Sequence, residues 1–215
     1  MDKVMIHACP QRMWYVEEYL VPSLRAQGIE PEVWNDTNGL GNLYACMESF
    51  KECGKCPGAT WHLQDDVIIC HDFAERIADM DGVVCGFACE NFDISMEQKG
   101  RVPQVFMWYS FPCIRIPNEL ADAVARWFFD DAQRQTQYAP QIADRKHDDW
   151  FFREFMRIYR PAEWVTNAVP NLVDHVDYLI GGTIVNRQRS HQDNRAMYFE
   201  DTALVDELAQ KIQSR

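Results

Sequence analysis

The chain has 215 residues, a length that fits one domain, and 47% of them are hydrophobic and 13% aromatic, enough to bury a sizeable core. Aromatic residues along the whole chain argue against disorder. No run approaches the ~18 consecutive apolar residues of a membrane span. The net charge of −12 argues against a passive nucleic-acid coat, whose surface would be basic, but not against an enzyme that touches nucleic acid locally.

In chain order, residues 4–8 read as a buried strand and 11–27 as an amphipathic helix that Pro22 should bend and Gly28 should end. Residues 32–34 form a second short strand, so the chain opens β–α–β, which predicts a parallel sheet. A polar loop follows at 35–41, a helix at 43–53 and a Gly/Pro loop at 55–59. Residues 60–70 hold a strand, a pair of carboxylates and another apolar run. Residues 73–81 read as helical and 82–89 as a strand. Further on, 105–108 suggests a strand, 117–131 and 148–159 are helices, 170–180 is mixed, 187–195 is a polar loop and 202–213 is a terminal helix. No repeat or long linker interrupts them, so a single α/β domain is expected over 1–215. Met1 to Pro10 is too short and too polar for a secretory signal, so a cytoplasmic location is expected.

Eight cysteines without an export signal imply free thiols. Most sit in apolar runs as small hydrophobes, and Cys85 and Cys89 form a CxxxC on one of them. Cys53 and Cys56 form a CxxC in the turn-rich ECGKCPG, where a zinc clip or redox pair competes with a plain loop.

Four segments carry candidate chemistry. In TWHLQDDVIICHDF a strand delivers Asp65 and Asp66 between apolar stretches. Such carboxylates are costly to bury unpaired, and a hard divalent cation would relieve them; an exposed turn is the alternative. In KHDDWFF, Asp148 and Asp149 start a helix, as caps or as a general base. In PNLVDHVD, His175 is a structural group or a third metal ligand that Asp174 or Asp177 could orient. Arg12, in ACPQR, follows the first strand directly, on the ligand-binding edge of a parallel sheet. No GxGxxG, GxxxxGK[ST] or GxSxG occurs.

Together these pieces resemble the small nucleotide-sugar glycosyltransferases of GT-A fold. The resemblance rests on Pro10 and Arg12 after the first strand, Asn35-Asp36 after the second, the Gly41-Asn42 helix start, HLQDD followed by an apolar run and DF, the acids Asp148-Asp149 and PNLVDH. It covers roughly residues 3–186, loosely over 90–145, and Gln64 stands where the family's acidic motif begins with Asp.

The resemblance implies a Rossmann-like, mostly parallel sheet flanked by helices, with a donor and metal half over 1–100 and a short acceptor-side lobe in 101–215. It implies a nucleoside diphosphate sugar donor, most often a UDP-sugar, contacted by Pro10, Arg12, Asp36, Asn42, Gln64 and Asp65. Mn²⁺ or Mg²⁺ would be held by Asp66 and His175. Asp149, with Asp148 as the competing choice, would deprotonate the acceptor for an inverting attack. Arg187 and Arg189, with His191 and Arg195, would form a basic loop over the diphosphate or a phosphate-bearing acceptor. Some members resemble phage enzymes that glycosylate hydroxymethylated pyrimidines in DNA. Trp108, Tyr109, Phe111 and Trp150 could then stack on a base, on a sugar or in the core. Glycans, lipid carriers and small metabolites are the other acceptor classes. The competing readings are a zinc or thiol binding module built on Cys53/Cys56 and a nucleotidyltransferase of the same fold. The charge is uneven: residues 1–100 hold 7 basic and 17 acidic side chains, residues 101–215 hold 14 and 16.

Overall fold

A computed structural model describes residues 2–87, 101–103, 111–131, 148–162, 164–181, 195–196 and 199–214. Strand β1 (Lys3–Ala8) leads through a tight helical turn (Pro10–Arg12) into α1 (Met13–Tyr15), a π-type turn (Val16–Leu20) and α2 (Val21–Ala26). Pro22 has no N–H to return to the preceding turn, and the helix answers by widening one turn rather than breaking. Gly28, at φ 79°, then ends it. Next come β2 (Glu32–Asn35), α3 (Asn42–Cys53), β3 (Ala59–Gln64), β4 (Val67–Ile69), α4 (Phe73–Ile77), β5 (Val83–Cys85) and β6 (Arg101–Pro103). The rest is β7 (Cys113–Pro117), α5 (Asn118–Phe129), α6 (Asp148–Tyr159), β8 (Trp164–Asn167), β9 (Val173–His175), α7 (Asp177–Ile180) and α8 (Thr202–Gln213).

Seven strands form one sheet in the order β2-β1-β3-β7-β5-β8-β6. Five run one way; β7 and β6 run against them. The parallel opening expected from the sequence is present, and the mixed, Rossmann-like sheet agrees with the α/β reading. Residues 60–70 hold the strand, the carboxylate pair and the second apolar run read from the sequence. The chain turns at Asp65-Asp66, and β4 pairs with β9 in a separate two-stranded sheet.

Alternating strand residues feed two cores. Val4, Ile6, Trp61 and Leu63 pack with Tyr15, Leu20, Phe73 and Leu208 on one face. Ile114, Ile116, Val83 and Val165 pack with Phe50, Phe128, Phe151 and Phe152 on the other. The sheet is thus sandwiched between helix layers, and its strands carry β1 and β3 to a common edge. Gly86 allows a close approach there, since a Cβ would lie 2.5 Å from Cys113 Sγ.

Candidate functional site

The carboxyl ends of β1 and β3 lie side by side, with His7 in register with Gln64. Cys9, Pro10 and Arg12 leave the first strand where Asp65 and Asp66 leave the third. The Cys9 backbone N–H donates to Asp65 Oδ2 at 2.8 Å, and Arg12 Nη1 donates to Asp65 Oδ1 at 2.8 Å and to Asp66 Oδ2. All three side chains are buried. Pro10 is exposed at the start of the helical turn.

β4 and β9 close the site from the other side. Their pairing sets Val67 opposite His175, and the Val176 N–H donates to the Asp66 carbonyl at 2.8 Å. His175 Nε2 then lies 3.2 Å from Asp66 Oδ2, and His175 Nδ1 lies 3.3 Å from Asp177 Oδ1. Asp174, which is fully buried, faces away from this contact; it binds Arg195 Nε at 2.6 Å and the Ala196 N–H at 2.7 Å. Of the two acids expected to orient His175, Asp177 does so and Asp174 holds Arg195.

This network balances charge without an ion. Burial alone would raise Asp66, but the His175 and Arg12 charges outweigh it and hold the carboxyl low. Burial opposes a charged His175, yet Asp66 and Asp177 raise the imidazole to about 10. Asp65 is pushed up by burial and by the neighbouring Asp66 charge. Arg12 and His175 are therefore counter-ions to these carboxylates. The Asp66 Oδ1 atom is nonetheless buried with no hydrogen-bond partner. Asp66 and His175 offer the oxygen and nitrogen donors that a divalent cation of the manganese type accepts, but His175 would first have to give up the proton that Asp66 and Asp177 hold on it.

The second acidic pair starts α6. Asp148 and Asp149 are both 4% exposed. Asn42 Nδ2 donates to Asp148 Oδ1 at 3.0 Å, the Asp149 N–H donates to the same atom at 3.0 Å, and the Gln64 amide and Cys46 thiol bond to the carboxyl as well. Asn42 and Cys46 are one turn apart on α3, so a single helix face addresses Asp148. The Trp150 N–H donates to Asp149 Oδ1 at 2.7 Å. Burial raises Asp148 to about 6 against these donors. Asp149 is raised well above its ordinary value by burial and by Asp148.

Gln64 thus joins the two acidic pairs: it ends the strand that presents Asp65 and Asp66, and its side chain reaches Asp148. Asp36 lies at the end of β2, where its carboxylate receives the Leu40 and Gly41 N–H groups, both at 2.8 Å, and shapes the loop before α3. Phe111 is core, packed on Phe50 and Phe152, whereas Trp150 is 43% exposed beneath the Arg153 guanidinium. Arg187, Arg189, His191, Trp108, Tyr109 and Cys89 lie outside the described residues.

Cys53 is buried with its sulfur 3.9 Å from Met5 Sδ, and Cys56 is exposed. Among the described residues the one three-ligand grouping is Cys70, Asp72 and Asp201, away from that CxxC. The pair of His7, half-buried, and His62, buried, which sequence reasoning did not single out, lies beneath the acidic pairs. Its signal was the apolar context of both histidines, but their contact depends on strand order.

No protein-family model matches the chain, and no curated protein matches it. Among solved structures, it is similar to the one titled "Crystal Structure of A197 from STIV", with 13% sequence identity and a TM-score of 0.43 over 80% of this chain and 85% of that one.

Proposed function

We propose that the protein is a glycosyltransferase that moves a sugar from a nucleoside diphosphate sugar, a UDP-sugar by preference, to an acceptor hydroxyl. The observation that carries the reading is the contact of Asp66 with His175 beside Arg12, at the carboxyl edge of parallel strands, with Asp66 Oδ1 left unpartnered. Asp66 and His175 would hold Mn²⁺ or Mg²⁺, which when bound supplies neutralisation of the charge developing on the diphosphate. Arg12 shares the same carboxylates and offers its guanidinium to the diphosphate edge. Asp36 and Asn42 border the donor side.

Asp148 takes the role of base. Its value of about 6 leaves it ionised at neutral pH, close to the optimum for general-base work, while burial and the Asp148 charge push Asp149 well above its ordinary value. The O–H bond of the acceptor breaks as its oxygen bonds to the anomeric carbon, the proton passes to Asp148, and the bond to the diphosphate breaks with its electron pair. This is an inverting displacement. A hydroxymethylated pyrimidine in DNA, a glycan and a small metabolite all present such a hydroxyl.

A second reading keeps the reaction but makes it metal-independent, with Arg12 and charged His175 as the cations that meet the diphosphate. It is favoured by the charge balance of the Arg12–Asp65–Asp66–His175 network. Thermal shift with UDP, with and without Mn²⁺, separates the two: metal-dependent stabilisation lost in Asp66→Ala supports the first, and stabilisation that survives EDTA supports the second. Product analysis on a panel of UDP-, GDP- and dTDP-sugars tests the reaction class. Release of pyrophosphate instead of a nucleoside diphosphate would mark a nucleotidyltransferase. One tightly bound zinc with no nucleotide effect would mark a Cys53/Cys56 module. Asp148→Asn should abolish turnover while donor binding persists.

A further inference from the structure

A file of polar side chains crosses the otherwise aromatic core between the sheet and α3. Ser49 Oγ donates to the Cys46 carbonyl at 2.7 Å and lies 3.1 Å from His7 Nε2. A hydroxyl has one hydrogen, and a carbonyl can only accept it. Toward His7, Ser49 is therefore the acceptor, and His7 Nε2 carries a hydrogen. The same nitrogen lies 2.8 Å from His62 Nδ1, which must then be the bare nitrogen of its ring.

Burial favours the neutral form of both rings, lowering His7 to about 4 and His62 well below its ordinary value. A neutral imidazole keeps one N–H, so that of His62 is on Nε2. Among the described residues this buried atom has no hydrogen-bond partner. A buried donor of this kind is costly unless something accepts from it. His62 lines a cavity of about 10 Å³ together with His7, Cys46, Gln64 and Asp148, closed by Phe50, Leu63, Phe111 and Ile114. That volume is at the lower limit for one water.

We infer that a single ordered water fills this cavity, accepts from His62 Nε2–H, and donates to the Asp148 carboxylate and the Gln64 carbonyl oxygen, so that Ser49, His7 and His62 orient a chain of donors onto Asp148. The water has three polar partners, the usual number for a buried one. His7 and His62 are then positioning residues that help hold Asp148 ionised. The other groups around Asp148 are Asp149 on its own helix, with Arg153 acting on Asp149, and Asn42 and Cys46 from α3. Lys3, on β1, adds positive charge that keeps His62 neutral. Only the catalytic consequence rests on Asp148 being the base; the tautomers and the water do not.

The test uses the full chain without donor. Long-range ¹H–¹⁵N correlations should show both rings neutral and Nε2-protonated from about pH 5 to about pH 8, a range in which a free histidine titrates. A ¹³C titration of the Asp148 carboxyl should move up by about one pH unit in His62→Phe and return in His62→Gln, which keeps an N–H donor. An Nδ1–H tautomer or a charged ring at His62 overturns the proposal in the wild type alone, even if the variants fail to fold. An unmoved Asp148 in a folded His62→Phe also overturns it. With a working donor, the kcat–pH profile should shift by the same amount at unchanged donor KM. If the NMR shift appears but no nucleotide sugar is turned over, the water site stands and the proposed reaction falls.

Discussion

Two adjacent pairs of aspartates are buried to the same extent and are handled in different ways. Asp65 and Asp66 have full charges against them, Arg12 and His175, and Asp66, which meets both, is held low, while Asp65 is still pushed up by burial and by the Asp66 charge. Asp148 and Asp149 have mainly dipoles against them: the Asn42 and Gln64 amides, backbone N–H groups and the Cys46 thiol. Both of their carboxyls rise. Burial alone therefore does not decide protonation; two cations on one carboxylate outweigh it and dipoles do not. The fold keeps Asp66 anionic and leaves Asp148 able to exchange a proton near neutrality, and Gln64 touches the second pair from the strand that ends at the first.

The largest effect that would break this contrast is at Arg12. Arg12→Ala strands two buried carboxylates and should cost about 3–5 kcal/mol in urea unfolding at neutral pH. A loss below about 1 kcal/mol, the range of exposed pairs, would mean the pair is not held by charge. His175 comes next. Its folded value is raised above the unfolded 6.5, so its contribution is complete below about pH 6.5 and fades as pH rises toward about 10. Unfolding in EDTA should show stability falling across that window in the wild type and a flatter profile in His175→Gln.

The second pair should also lose stability as pH rises, but in a lower window. An acid raised in the folded state costs stability once the unfolded chain ionises, from about pH 4 upward, and for Asp148 the cost is complete above about 6. Asp149→Asn keeps an acceptor for the Trp150 N–H and should stabilise the protein at pH 8 by about 1 kcal/mol, a gain that vanishes near pH 4. The smallest expected effect is at Asn42. Removing its one donor with Asn42→Ala should cost about 1 kcal/mol and raise Asp148 by less than about one pH unit, read by carboxyl ¹³C shifts.

The sequence made some of this legible. Apolar runs marked β1 and β3, the β–α–β opening predicted their parallel pairing, and Asp65, Asp66, Asp148, Asp149 and His175 stood out as acids or imidazole in apolar surroundings. Strand β7 was missed because Arg115 interrupts its apolar pattern; the side chain is buried, bonding Asp2 at 2.6 Å and the Gly82 carbonyl at 2.7 Å. Strand β8 lay in a stretch without strict alternation. The apolar run after Asp65-Asp66 was legible as separate from β3, but its pairing with β9 in a second sheet depends on chain that lies about a hundred residues on. Arg12 reads from sequence as a donor contact, to base or phosphate; its carboxylate partners are remote in sequence and reach it only because β3 lies beside β1. The His7–His62 contact likewise depends on which strands are neighbours, which periodicity within one strand cannot specify.

Strand β7 also governs how the molecule can be assembled. It follows β5 in the chain yet fills the gap between β3 and β5. During synthesis, the first strands exist with open edges until residues 113–117 leave the ribosome and join them. Such non-local closure is slow, and uncovered strand edges invite pairing with other chains. A nascent chain that pauses before β7 would be the aggregation-prone species. The division by charge at residue 100 is therefore not a division into folding units: neither half can complete its sheet without the other.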